Sequence, residues 1–99
     1  MFVKAREAAA RRAEAELHAF LASEGFGLDV NSLRRKFFRK TFPLHVACKR
    51  GDDRMVGLLV TSGADATSRD WRRRTPADVA KRYNRSGSHD AVLRALGCH

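Results

Sequence analysis

The sequence predicts an all-α fold: a short solenoid of stacked helix pairs, with a long N-terminal helix capping one end. Three observations lead there. A segment around Pro43 recurs in weakened form around Pro76, 33 residues later. Residues 3–23 are filled with strong helix formers and contain neither Gly nor Pro. Apolar residues elsewhere return at helical rather than alternating spacing.

The first helix is expected over residues 3–23. Ala10, Ala13, Leu17, Phe20 and Leu21 share one face. Glu7 with Arg11, and Arg12 with Glu16, stand four apart on the other side and can pair. Gly25 supplies a stop. The narrow, Ala-rich stripe fits a helix packed on the end of the domain; the alternative is a helix that binds a partner. Four shorter helices are expected near 44–50, 53–61, 76–82 and 88–96. Pro43 and Pro76 suit first turns, where a missing N–H is no loss. Asp52 or Asp53, and Ser88, are placed to cap second helices by accepting from free backbone N–H groups. Met55, Val56, Leu58 and Leu59 give one inner face, and Val92, Leu93 and Leu96 another. Small Ala47 and Ala80 allow close helix approach.

The recurring segment is Phe42-Pro43-Leu44-His45-Val46-Ala47, echoed by Thr75-Pro76-Ala77-Asp78-Val79-Ala80. Its period and pattern resemble the ankyrin repeat. After it, Gly51 ends a short helix, Asp52-Asp53 open the next, and Ser62-Gly63-Ala64-Asp65 match the family's helix-ending turn. A degenerate unit precedes it: Phe20 to Phe26 looks like a second helix and turn, and Asp29-Val30-Asn31 like the family's step into a hairpin. The resemblance covers roughly residues 20–99. It implies residues 1–24 as an N-terminal helix capping the same domain, a hairpin over 25–42, and repeats over 43–75 and 76–99. Units of this kind bury their apolar faces only by stacking.

Departures from the family pattern are expected to matter. The family has Gly three residues before each repeat's Pro, at positive φ; Lys40 and Arg73 stand there. A non-Gly residue in that conformation costs about 1 kcal/mol. Asp78 replaces the motif His, which puts the usual hydrogen bonds of the second unit in doubt. Asn84-Arg85-Ser86-Gly87 lengthen the loop of the last helix pair.

The formal charge is +9, from 20 Lys and Arg against 11 Asp and Glu. Residues 34–99 carry 16 of those bases and 6 of the acids, so the charge belongs to the C-terminal two thirds. It points to an anionic partner: nucleic acid, an acidic protein surface or an anionic membrane. Two cysteines, Cys48 and Cys98, make no dense disulfide framework and favour a reducing, intracellular setting, cytoplasmic or nuclear. No apolar run is long enough to span a membrane, and no signal-peptide core follows Met1. Glu7, Glu14 and Glu16 argue against a mitochondrial transit peptide.

No constellation for catalysis stands out. His45 with Cys48, and Cys98 with His99, raise the question of zinc, but no C-x-x-C accompanies them. The resemblance makes the motif His structural. Carboxylates are not paired for acid–base work, and no phosphate loop matches. The expectation is a non-enzymatic chain without metal or cofactor.

Two basic, aromatic hairpins remain. One holds Arg34, Arg35, Lys36, Phe37, Phe38, Arg39 and Lys40; the other holds Arg69, Trp71, Arg72, Arg73 and Arg74. Together they carry nine of the 20 cations. The resemblance implies that successive hairpins project side by side on one binding face. The leading expectation is a protein-interaction module, an adaptor or a subunit of an assembly, binding an acidic protein or peptide with Phe and Trp anchors. The rival is an RNA- or DNA-binding accessory protein using the same groups. Solvated loops with Phe37 or Phe38 folded into the core, and a nuclear-import signal over Arg34–Lys40, are the blander alternatives.

Overall fold

A computed structural model describes residues 2–36 and 38–97, with side chains described from Arg6 onward. The fold is mostly helical. In chain order it runs α1 (Phe2–Ser23), β1 (Arg34–Lys36), β2 (Arg39–Thr41), α2 (Pro43–Arg50), α3 (Asp53–Thr61), α4 (Pro76–Tyr83) and α5 (Asp90–Ala95). All five expected helices form, within two residues of their expected ends. The strands correct the all-α expectation: they pair antiparallel as a small two-stranded sheet, with Arg34 opposite Thr41, Arg35 opposite Lys40 and Lys36 opposite Arg39.

Helices α2 and α3 form one pair and α4 and α5 the next; α2 packs on α4, α3 on α5, and α1 on α3. One core runs through them, built from Leu17, Phe20, Leu21 and Phe26, then Leu44, Ala47 and Cys48, Met55, Val56 and Leu59, and finally Val79, Ala80 and Val92. The C-terminal half of α1 belongs to this core. Its N-terminal half does not: Ala10 is exposed and Ala13 only half-buried, so the expected apolar stripe is used from Leu17 onward. Glu7 pairs with Arg11 at 3.6 Å as spaced, whereas Glu16 turns from Arg12 to meet Arg54 of α3 at 2.9 Å.

Caps fix the helix starts. The Asp52 carboxylate accepts the Met55 N–H at 3.1 Å. At α4, Thr75 Oγ accepts from the Asp78 N–H and the Asp78 carboxylate from the Thr75 N–H, a reciprocal box. Asp78 therefore acquires a local role in place of the motif His. The expected Ser88 cap is replaced: His89 occupies the cap position of α5 without a side-chain bond, and Ser88 Oγ instead accepts from Arg85 N–H. Asn84 organises the added loop, accepting the His89 N–H and donating to Asp90. His89 reaches back to α2, where its Nε2 donates to the Lys49 carbonyl at 2.9 Å. Gly51 makes room for that ring. It closes α2 at φ 72°, and a Cβ there would stand 3.3 Å from His89.

Candidate functional site

Phe38 stands in the turn between β1 and β2. Phe38 takes φ 68° there, so positive φ falls on Phe38 and not on Lys40, which lies in β2. The residue is 96% exposed. Phe37 lies outside the described residues. Arg35, Lys36 and Arg39 are exposed, Lys40 half-buried. Arg34 is held inward: it donates to the Glu24 carbonyl and carboxylate and stacks on Phe26.

The second loop forms no strand. Asp70, buried at its centre, builds it. One carboxylate oxygen accepts the Arg72 and Arg74 N–H groups, both at 2.9 Å; the other accepts the Arg74 guanidinium at 3.0 Å. Burial pushes the Asp70 carboxyl up, but these bonds outweigh it and hold the group below its usual value. The loop closes with Arg73 at φ 60°, as its position before Pro76 predicts, and Arg69 donates to the Arg73 carbonyl. His45 ties the loop to α2. Its Nε2 lies 2.7 Å from the Arg74 carbonyl, so that nitrogen carries the proton.

The two basic loops meet at Trp71. Its backbone N–H donates to the Lys40 carbonyl at 3.1 Å. The guanidiniums of Arg39 and Arg72 lie 5.0 and 4.6 Å from the indole centre. Beside this junction, a groove of about 850 Å³ runs between the loops and helices α2 and α4. Lys36, Arg39, Trp71 and Arg72 edge it on the loop side; Val46, Val79, Lys49 and Tyr83 line its helical side, with the Lys49 ammonium 5.3 Å from the Tyr83 ring centre. Its two carboxylates are already engaged, Glu24 with Arg34 and Arg50, Asp70 with Arg74.

Of the eleven residues singled out in the sequence, Arg35, Lys36, Phe38, Arg39, Trp71, Arg72 and Arg73 are exposed on the two loops. Arg34 and Arg74 are committed to internal acids. Sequence reasoning missed Lys49, Arg50 and Tyr83. Their signal was the paired cations in the last turn of α2 and an aromatic one repeat later. Among the described residues, no group of three or more His, Cys, Asp or Glu is placed to hold a metal; Cys98 and His99 lie outside them. No helix among them is long and apolar enough to cross a membrane.

Residues 41–71 match the model of the ankyrin repeat, a motif typically used as a non-enzymatic protein-interaction module. Among curated proteins, a 58-residue stretch is 43% identical to the human and mouse ARF GTPase-activating protein GIT1, covering 59% of this chain and 7% of that protein. A 53-residue stretch is 40% identical to the tyrosine-protein kinase HTK16 of Hydra vulgaris, covering 54% of this chain and 6% of the kinase. The chain thus spans less than a tenth of the relatives it matches.

Proposed function

We propose that this chain is a non-enzymatic ankyrin-repeat module, a short solenoid whose N-terminal end is covered by α1, and that it binds an acidic segment of a partner protein along the groove beside Trp71. The observation that carries it is the junction of the two basic loops at Trp71. Cations held on one rigid frame act together, and an indole between two guanidiniums offers a desolvated anchor. Packing of like helix on like helix, α2 on α4 and α3 on α5, supports the solenoid. Residues 1–24 act as its cap and 25–99 as its repeats. The relatives' enzymatic titles carry little weight here, because the matched stretch is so small a share of each.

The test is charge reversal at the exposed cations alone. Arg35, Lys36, Arg39 and Arg72 are changed together to Glu, and partner capture is compared with and without nuclease. The helical circular-dichroism signal should persist, because exposed charges contribute little to folding. Nuclease-resistant capture by the parent, lost in the variant, is the expected outcome. Capture abolished by nuclease, with log affinity falling roughly 0.7–0.9 per phosphate against log salt, transfers the groove to RNA or DNA. Unchanged capture by the variant removes it as the site.

A further inference from the structure

Two features that cost stability and one that adds none meet in the first hairpin. Its register sets Arg35 opposite Lys40 and Lys36 opposite Arg39, and like charges directly opposite repel. Phe38 holds φ 68°, a region that bulky L residues avoid. Phe38 is also 96% exposed, so its apolar surface contributes almost nothing to folding. A ribbon of two three-residue strands has little stability in reserve. A Gly in the turn and alternating charges would remove both costs. Local rules broken together at one exposed place mark a surface built for a ligand.

The geometry says which ligand. Phe38 lies beyond the last strand pair, Lys36 with Arg39, and the cations stand behind it on both strands, one to three residues back, roughly 3–10 Å at the rise of a strand. No acid occurs between Asp29 and Asp52 in the sequence. Trp71, 39% exposed, shares a shallow recess with Phe38, Arg35 and Lys40. A nucleic acid meets cations first; here an exposed Phe stands at the turn, beyond the last cation pair. A bilayer of anionic lipid has the matching order, charged headgroups outside and acyl chains beneath.

We propose that Phe38 and the cations behind it dock on an anionic lipid surface. Phe38 enters the boundary between headgroups and acyl chains, Trp71 sits at headgroup level, and Arg35, Lys36, Arg39 and Lys40 meet the lipid phosphates. The attachment is peripheral and reversible. It goes beyond the protein-binding reading, which rests on the groove and does not need Phe38.

The experiment uses the full chain with phosphatidylcholine vesicles, with or without about one quarter phosphatidylserine. Sedimentation reads binding, and Trp71, the single tryptophan, reports it by a blue-shifted emission. Phosphatidylserine vesicles should bind the parent at least about tenfold more tightly than neutral ones. Phe38→Ser should lose roughly tenfold in affinity and Phe38→Leu little, because only the first removes the apolar side chain. Phe38→Gly should lose binding while its urea midpoint holds or rises, which separates a lost anchor from a lost fold. The proposal is overturned if the parent binds neither vesicle, if both compositions bind alike, or if Phe38→Ser binds as the parent does. Binding of a single-stranded oligonucleotide with no vesicle binding also overturns it, and assigns the cations to nucleic acid. None of these results bears on capture of a protein through the groove, where no lipid is present.

Discussion

The backbone N–H of Trp71 donates to the carbonyl of Lys40 at 3.1 Å, which joins loops 31 residues apart in sequence. Neither partner's side chain is spent on the bond. The indole stays available to Arg39 and Arg72, and the Lys40 ammonium is left to its own contacts. Because the link is main chain to main chain, substitutions of the loops' side chains should change binding without separating the loops.

Asp70 is the internal frame of the second loop. Asp70→Ala removes the acceptor for two backbone N–H groups and leaves Arg74, whose side chain is 23% exposed, without its counter-ion. A loss of about 2–3 kcal/mol in urea melts is expected, with weakened groove binding alongside. Arg74→Glu should be similarly damaging, since it sets a second carboxylate against Asp70. Arg72→Glu should cost no more than about 0.5 kcal/mol.

Arg73 sits at φ 60°. Arg73→Gly keeps its backbone bonds, to the Asp70 carbonyl and from Arg69, and removes the strain of a Cβ at positive φ. Stability should hold or rise by up to about 1 kcal/mol. A lower urea midpoint would show that the arginine side chain contributes more than its backbone costs.

Stability should decline on mild acidification. Burial lowers the pKa of His45 from its ordinary 6.5, partly opposed by its bond to the Arg74 carbonyl. Protonation would place a second N–H at Nδ1, which is buried without an acceptor among the described residues. The folded pKa lies below the unfolded one, so the unfolded chain takes up the proton first. The His45 contribution is fully present above pH 6.5 and is lost as pH falls from there through the folded value. Asp70 and Asp78, also lowered, hold their contributions above 3.8 and lose them only at more acid pH. Urea midpoints measured from pH 7.5 to 5 should fall, and His45→Gln should flatten the slope.

Helix α1 should divide into a dispensable and an essential half. Residues 6–12 are exposed, so removing residues 1–12 should shift stability by less than about 0.5 kcal/mol. Removing 1–24 takes away Leu17, Phe20 and Leu21, each worth about 1.5–3 kcal/mol buried, and uncovers α3. That loss is comparable with the whole stability of a small domain, about 5–15 kcal/mol. The longer deletion should aggregate or melt without a cooperative transition; size-exclusion chromatography and thermal melts distinguish the two.

The sequence alone determined the helices, because each is specified within its own span. Pro43 and Pro76 start two of them, Asp52 supplies a cap, and apolar residues at helical spacing mark the faces. The positive φ of Arg73 followed from the ankyrin resemblance, which places that conformation three residues before a repeat's Pro; the same expectation failed at Lys40. Also legible was the clustering of cations into two loops. The tertiary structure decided what depended on residues far apart in the chain. It set Glu16 against Arg54 rather than Arg12, withdrew Arg34 and Arg74 into bonds with Glu24 and Asp70, and brought Lys49 and Tyr83 to the groove. It also set two short strands in the hairpin of a fold read as all-α, and moved the strained backbone from Lys40 to Phe38. Local pattern fixes where a helix begins and which face it buries, through capping and burial. Which charged side chains keep a partner inside the fold and which face solvent is settled by distances between elements, and no spacing along the chain encodes those.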